Sequence, residues 1–329
     1  LDEATLERFE VGFAPDGWQV LWDQLRGKGV EESLILGAGL AKPSQKGGKP
    51  YDTFRDRIMF PIRDPRGRAI AFGGRAMDPN DNAKYLNSPE TDLFDKGRTL
   101  YNLGHARTAA GKGAPLVVAE GYMDVIALVR AGFEGAVAPL GTAITEDQLH
   151  LMWRVHPEPV IALDGDTAGV RAANRLIDLV LPMLAPERAL RFAILAEGKD
   201  PDDVIRTEGR ARMAEIIEKA RPLLSLLWQR ETEGKVLDSP ERRAALDKAL
   251  RALLGRIQDP SVRNHYSSEI KRLRGELFES LHPGRARRNW RSQGAVPMAG
   301  TRNSFLAKAT DAEDRLREAV IVATLLTHP

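Results

Sequence analysis

From Pro115 to Leu195 the chain alternates short, almost wholly apolar runs with helical segments, and few folds accept that pattern. The runs are LVVAE ending at Glu120, Gly135 to Leu140, PVIALD ending at Asp164, and Leu190 to Leu195. Between them lie a helical stretch from Tyr122 to Ala131, a helix opened by the capping box Thr145-Glu146-Asp147-Gln148, and a long amphipathic helix over 168–184. Strands that are apolar on both sides are buried on both sides, so the pattern predicts a mainly parallel sheet covered by helices. Right-handed crossovers then bring the strand C-termini to one edge, where such sheets carry their sites.

The flanks read differently. Residues 1–50 mix helical patterning with glycine-rich breaks and close on the polar loop SQKGGKP. Ile58, Phe60 and Ile62 then alternate, Asp64-Pro65-Arg66-Gly67 has the composition of a turn, and Ala69 to Phe72 continues apolar, which predicts a β-hairpin. After about Ala211 only helical patterning remains, until prolines, glycines and the basic run Arg285 to Arg291 interrupt it. The expected fold is therefore α/β. A mixed, basic α/β subdomain spans 1–113, the parallel-sheet domain 114–210 and a helical subdomain 211–281. A linker follows over 282–304, then a helical segment over 305–329. No internal repeat is visible.

The formal net charge of +2 conceals an uneven layout. Tyr51 to Gly113 holds 11 Lys+Arg against 8 Asp+Glu, a net +3; Glu120 to Asp203 holds 7 against 14, a net −7; Arg230 to Arg291 holds 15 against 9, a net +6. An acidic centre between basic flanks suits a cation-loaded site beside surfaces that meet phosphates. With 0 cysteines, these residues contain no disulfide, no thiolate zinc site and no cysteine nucleophile. No run approaches the roughly 18 apolar residues of a membrane span. The start, LDEATLERFE, is unlike a signal peptide, and the end, LLTHP, follows directly on an apolar run, so the sequence reads as a piece of a longer chain.

Two acidic signatures fall at predicted strand ends: Glu120-Gly121-Tyr122-Met123-Asp124, and Asp164-Gly165-Asp166 followed by Thr167-Ala168-Gly169. Asp-x-Asp offers two hard oxygen donors on a short turn, which suits Mg²⁺ or Mn²⁺. Carboxylates crowded at one edge repel each other, and a divalent ion would keep them charged where burial would neutralise them. Taken alone, Asp164 and Asp166 could serve as turn or N-cap acceptors for the next helix; Glu120, one βαβαβ path earlier, favours the metal reading. A third cluster, Lys199-Asp200-Pro201-Asp202-Asp203, follows the fourth strand and reaches the same edge.

The pair EGYMD and DGDTAG, with PLGTAIT between them, resembles the Toprim domain of primases, topoisomerases and some nucleases. EGYMDVIAL with the downstream KDPDD is similar specifically to bacterial DnaG-type primases. So are FRDRIMFPIRDPRGRAIAFGGR, KYLNSPET, LFDKGRTLYNL and the opening LERFEVGFAPDGW, so that the resemblance runs from residue 1 to about 280.

That resemblance implies a Toprim domain over 114–210 whose catalytic and metal-binding residues are Glu120, Asp164 and Asp166, with Asp200 and Asp202 as further metal ligands and Asp124 in a supporting role. It implies two or more Mg²⁺ or Mn²⁺ ions and, without the family's zinc-binding module, no zinc in this piece. Arg75, Lys84, Asn87 and Lys96 are assigned to template or triphosphate binding; alone, each would read as solvated surface. Arg55 and Arg57 are weaker candidates, because Asp52 and Asp56 lie near enough to pair with them. The implied activity is DNA-directed synthesis of short RNA primers. The implied partners are single-stranded DNA, ribonucleoside triphosphates and nascent RNA, in a monomeric, cytoplasmic, replication-associated protein without membrane contact. Segment 305–329 resembles the opening of the domain that meets the replicative helicase, so helicase binding is assigned to the full-length protein. With 6% aromatic residues there is no evident stacking platform, and affinity for nucleic acid should be electrostatic and salt-sensitive.

Two other functions compete. A Toprim nuclease would consume DNA without nucleotides, whereas strand passage needs a tyrosine nucleophile in a separate domain that this sequence does not offer. A binding module with a vestigial acidic site would hold single-stranded DNA equally well after Asp164→Ala.

Overall fold

The computed structural model describes residues 1–280, apart from 45, 46 and 142, together with Val320. The expected linker 282–304, its basic run and, Val320 aside, segment 305–329 lie outside the described residues. The chain divides into two units, Leu1–Arg272 and Leu273–Pro329. The first holds all the strands described; of the second, the end of one helix and Val320 are described.

Strands, in chain order, are β1 (Gly12–Ala14), β2 (Ala41–Lys42), β3 (Tyr51–Asp52), β4 (Arg57–Arg63), β5 (Ala69–Ala76), β6 (Tyr85–Asn87), β7 (Val117–Val118), β8 (Ala136–Val137), β9 (Val160–Leu163), β10 (Arg191–Ile194) and β11 (Arg221–Pro222). Helices are α1 (Glu3–Arg8), α2 (Val20–Gly27), α3 (Glu32–Gly37), α4 (Leu103–Ala110), α5 (Tyr122–Arg130), α6 (Glu146–Val155), α7 (Thr167–Val180), α8 (Pro201–Glu208), α9 (Arg210–Glu218), α10 (Leu223–Thr232), α11 (Pro240–Leu254) and α12 (Pro260–Ser280). The mixed α/β class expected from the sequence is the observed one.

The hairpin forms as its alternation predicts. β4 and β5 pair antiparallel at the centre of a four-stranded sheet ordered β1-β4-β5-β6. Phe60 and Ile62 are fully buried on one side. The Asp64 carboxylate closes the turn by accepting the N–H groups of Arg66 and Arg68, both at 2.9 Å. Pro61, which has no N–H to donate, lies beyond the reach of β1, whose pairing stops at Met59.

The second sheet has the order β11-β10-β9-β7-β8, with β8, β7, β9 and β10 parallel. The chain leaves β7 for β8 on one side and then returns to place β9 on the other. The order therefore reverses between β7 and β9, and the crevice at a parallel sheet's C-terminal edge opens at such a reversal. Two details correct the sequence reading. Arg221-Pro222 forms an antiparallel edge strand inside a stretch read as purely helical; a residue before proline is held extended, and proline is tolerated at a sheet edge. The helix expected over 168–184 ends at Val180 and passes into a 3₁₀ turn over Leu181–Met183, where Pro182 interrupts the ladder.

One hydrophobic core joins the two sheets. Phe60, Ile62 and Ala71 belong to the same buried cluster as Tyr122, Ile126 and Leu128, so the core continues across the 113/114 boundary. Tyr122 stacks on Phe60 with ring centroids 5.1 Å apart. It also lies so close over Gly73 that a Cβ there would come within 2.4 Å of its Cζ. The antiparallel sheet is thereby held against the start of α5, beside the first acidic signature.

Candidate active site

Adjacent strands set the site. β7 leads within two residues to Glu120, and β9 leads directly to Asp164; because β7 pairs with β9, the two carboxylates emerge side by side. Gly165 turns the chain where the end of β10 presses close: a Cβ there would lie 2.1 Å from the carbonyl oxygen of Ala196. Any larger residue would push apart the loops that carry Asp164 and Asp200.

Each remaining acid has a local backbone task and a spare oxygen. Asp166 caps α7, one oxygen accepting the Gly169 N–H at 2.7 Å. Asp200 caps α8 through the Asp203 N–H, also at 2.7 Å. Asp124 reaches back to the Gly121 N–H at 3.0 Å and so fixes the loop behind Glu120. The N-cap role weighed for this motif is therefore real for Asp166. Asp164 has no such partner: its Oδ1 is buried without a hydrogen bond. A buried carboxylate oxygen left unpaired is costly, and a ligand is one standard reason for it to persist.

The electrostatics agree. Burial first, then the charges of Glu120, Asp200, Asp166 and Asp203, push the Asp164 carboxyl up to about 7. Burial, then Asp200 and Asp164, does the same for Asp124, against the pull of the Gly121 N–H, and its carboxyl also reaches about 7. Glu120 is raised by burial and by Asp166, although the Asp164 N–H opposes the shift. Negative charge is thus concentrated here beyond what the protein neutralises. Among the described residues no three acidic or imidazole side chains are already close enough to enclose a metal ion. The donor set nevertheless fits a hard divalent cation, which commonly takes one or two carboxylates and completes its shell with water and substrate phosphate.

Asp202, assigned to the metal from the sequence, and its neighbour Asp203 have different surroundings. Asp203, not Asp202, is among the charges acting on Asp164. Asp202 instead lines a groove with Asp2, Arg8, Arg130 and Arg206. Successive positions on a helix point about 100° apart, so the two carboxylates leave α8 in different directions.

Of the basic candidates, Arg75 shares a neighbour, Tyr85, with the acids. It lies on β5 opposite Tyr85 of β6, with its guanidinium 5.8 Å from that ring, and burial together with Asp124 and Asp200 raises the Tyr85 hydroxyl. Lys84 is exposed just before β6, and Lys96 is half-buried in a 3₁₀ turn capped by Asp95. The Asn87 side-chain oxygen is already occupied, accepting the Tyr122 hydroxyl at 2.6 Å. That bond ties β6 to α5 and takes up one acceptor site of the Asn87 oxygen. Arg57 is nearly buried and pairs with Asp81 at 2.7 Å rather than with Asp52 or Asp56. Asp52 is instead buried, accepting the N–H groups of Leu21 and Trp22 at 2.7 and 2.9 Å. Arg55 donates to the Asp52 carbonyl and lies 4.2 Å over the ring of Trp18, which is 61% exposed. A flat, cation-topped aromatic of this kind is a candidate nucleic-acid contact that total aromatic content does not reveal.

Comparison with known proteins matches these parts in order. The DNA primase catalytic core N-terminal domain matches residues 1–107, the Toprim domain 114–192, and the DnaB-helicase binding domain of primase 227–273. The last lies upstream of 305–329, where sequence alone placed the start of a helicase-interaction domain. DNA primase of Escherichia coli K12 is 39% identical over 280 residues, covering 85% of this chain and 48% of that protein. DNA primase of Pseudomonas aeruginosa is 44% identical over 280 residues, covering 83% and 42%. The chain thus spans about half the length of the curated relatives it matches. Among solved structures, a DNA primase domain from Pseudomonas aeruginosa superposes with a TM-score of 0.77 at 40% identity, covering 84% of this chain and 86% of that one. A DnaG primase catalytic domain bound to ssDNA gives 0.75 at 39% identity, covering 83% and 87%. With its acids at the sheet reversal and its basic hairpin locked beside them, the chain belongs to the bacterial DnaG-type primase family and corresponds to the catalytic core of that family.

Proposed function

We propose that this chain synthesises RNA primers on single-stranded DNA by metal-dependent nucleotidyl transfer. The observation that carries the reading is the unpartnered, buried Oδ1 of Asp164 amid uncompensated carboxylates at the β7/β9 edge. Glu120, Asp164 and Asp166 would hold Mg²⁺ or Mn²⁺, with Asp200 contributing from the start of α8. The chemistry such an ion supplies when bound is acidification of the attacking hydroxyl and neutralisation of the pyrophosphate leaving group.

In the reaction the 3′-oxygen of the growing RNA forms a bond to the α-phosphorus of a ribonucleoside triphosphate, and the bond to pyrophosphate breaks. The protein's own part is positioning. Asp124 fixes the Gly121 loop, Asn87 anchors Tyr122, and Arg75 stands where a triphosphate approaching the acids would meet it. Lys84 and Lys96 hold template phosphates on the flank; a solved relative with bound ssDNA supports that partner class. The match to a DnaB-helicase binding domain supports a replicative helicase as partner. A monomer working in the bacterial cytoplasm at the replication fork fits these assignments. Among the described residues no helix is long and apolar enough to cross a membrane.

The test is synthesis of labelled RNA on single-stranded DNA with ribonucleotides and Mg²⁺ or Mn²⁺, comparing the chain with Asp164→Ala. Short RNA from the parent and none from the variant supports the reading. Metal-dependent loss of DNA without RNA would turn it into a nuclease on the same fold.

A further inference from the structure

One face of α6 gathers cations that the proposed synthesis does not use. Arg98, Arg154 and Arg188 line an open concavity with His150, Asp147 and Trp153. Asp147 is the one carboxylate among the lining residues, and it already pairs with Arg98 at 3.4 Å. Arg154 and Arg188 are exposed.

The cations come from three chain segments, each fastened to α6. Gln148 is fully buried, and its side-chain nitrogen donates to the carbonyls of Lys96 and Thr99, both at 2.9 Å. The Thr145 hydroxyl donates to the Gly97 carbonyl. These bonds clamp the turn carrying Lys96 and Arg98 onto the first half of α6. At the other end, the Trp153 ring nitrogen donates to the Ala189 carbonyl at 2.9 Å. It holds the turn in which the Arg188 N–H meets the Ala185 carbonyl at 2.9 Å and Glu187 adopts a φ of 63°. That left-handed conformation is unfavourable for a residue with a side chain, and the surrounding bonds must maintain it. Arg154 comes from α6 itself.

The shape selects the ligand class. Arg98 meets α6 at Asp147, and the turn bearing Arg188 is tied to it at Trp153, six residues and so roughly 9 Å further along. Arg154 is next on the helix, so the arginines are set in sequence along α6. A lone phosphate needs convergent donors, whereas a chain of phosphodiesters needs cations in a row. The row begins at the segment carrying Lys96. We propose that this face of α6 is a second contact for single-stranded nucleic acid, gripping phosphates beyond those held at Lys84 and Lys96. The inference rests on the nucleic-acid reading above.

The test measures binding of short and long labelled single-stranded DNA to the intact chain across a salt series. Parent, Arg154→Ala/Arg188→Ala and Lys84→Ala/Lys96→Ala are compared. The arginine pair should weaken long oligonucleotides roughly tenfold at low salt and lower the salt slope by about 1.4, with little effect on short ones. The lysine pair should weaken both lengths. Unchanged binding by the arginine variant, with loss in the lysine variant, would overturn the α6 contact and leave the proposed function standing. No binding by the parent at low salt would remove both. A higher ribonucleotide KM with unchanged DNA binding would reassign the site to free triphosphate and refute the proposal.

Discussion

The antiparallel and parallel sheets both carry many charges, but they dispose of them in opposite ways. Around the β4/β5 hairpin charges are paired: Arg57 with Asp81, Arg63 with Glu10, and Asp64 with Arg68. At the C-terminal edge of β7 and β9, Glu120, Asp164 and Asp166 face each other and Asp200 without a basic residue among the principal charges acting on Asp164. Paired charge maintains a shape. Unpaired charge, fixed by a rigid sheet, maintains a potential that something else must neutralise. The same contrast separates Arg57, a structural residue despite its basic neighbourhood, from Arg75, whose ring contact with Tyr85 leaves its charge near the acids.

This contrast can be broken most forcefully at Asp164. Asp164→Ala should reduce RNA synthesis on the order of 10²–10³-fold or more, as loss of one transition-state electrostatic group does. The metal-free variant should melt no lower than the parent, because an unpartnered buried oxygen is removed with the charge. A large fall in melting temperature would mean that Asp164 is structural.

Arg57→Ala is the counterpart. It strands Asp81 and opens a nearly buried site, and should lower stability by about 2–3 kcal/mol in denaturant unfolding, below the range for fully buried pairs because Asp81 is partly exposed. Synthesis per folded molecule should hardly change. Gly165→Ala tests the loop geometry instead: the Cβ overlap with Ala196 should cost about 1–3 kcal/mol and weaken metal binding as the two acid-bearing loops separate.

Protonation sharpens the comparison further. In the metal-free fold the Asp124 and Asp164 carboxyls sit at about 7, against an ordinary 3.8, so folding takes up protons between those values. Their contribution to stability is present in full below about pH 4 and is lost as pH rises through about 7. Melting temperature in chelator should therefore decline over that window, and added Mg²⁺ or Mn²⁺ should raise it more on the alkaline side than the acid side. Equal metal effects at both ends would contradict the assignment. The smallest expected effect is at the lysines: Lys84→Ala or Lys96→Ala should each lower the salt slope of DNA binding by about 0.7.

Much of this was legible in the sequence because it is local. Alternation at Ile58, Phe60 and Ile62 fixes a strand, and a carboxylate straight after PVIAL is carried to the sheet edge by topology. The Thr145 capping box forms with Gln148 as written. What escaped depends on direction or on distant partners. The order of acids in KDPDD does not say that Asp203, although paired with Arg206, is the one whose charge acts on Asp164, while Asp202 lines the groove beside Asp2, Arg8 and Arg130. Nor does KYLNSPET reveal that Asn87 is bonded to Tyr122, 35 residues away. Arg57 found Asp81 across a loop, not its sequence neighbours, because β-strand geometry sends adjacent side chains to opposite faces.

The most direct test of the account is Mn²⁺ binding followed by electron paramagnetic resonance, on the parent and on Asp164→Asn, which keeps shape and removes charge. The account predicts tight Mn²⁺ binding by the parent and its loss or severe weakening in the variant, with the fold intact by circular dichroism. Equal Mn²⁺ binding by both would contradict it, and would mean that the unpaired charge at the β7/β9 edge serves some purpose other than holding metal.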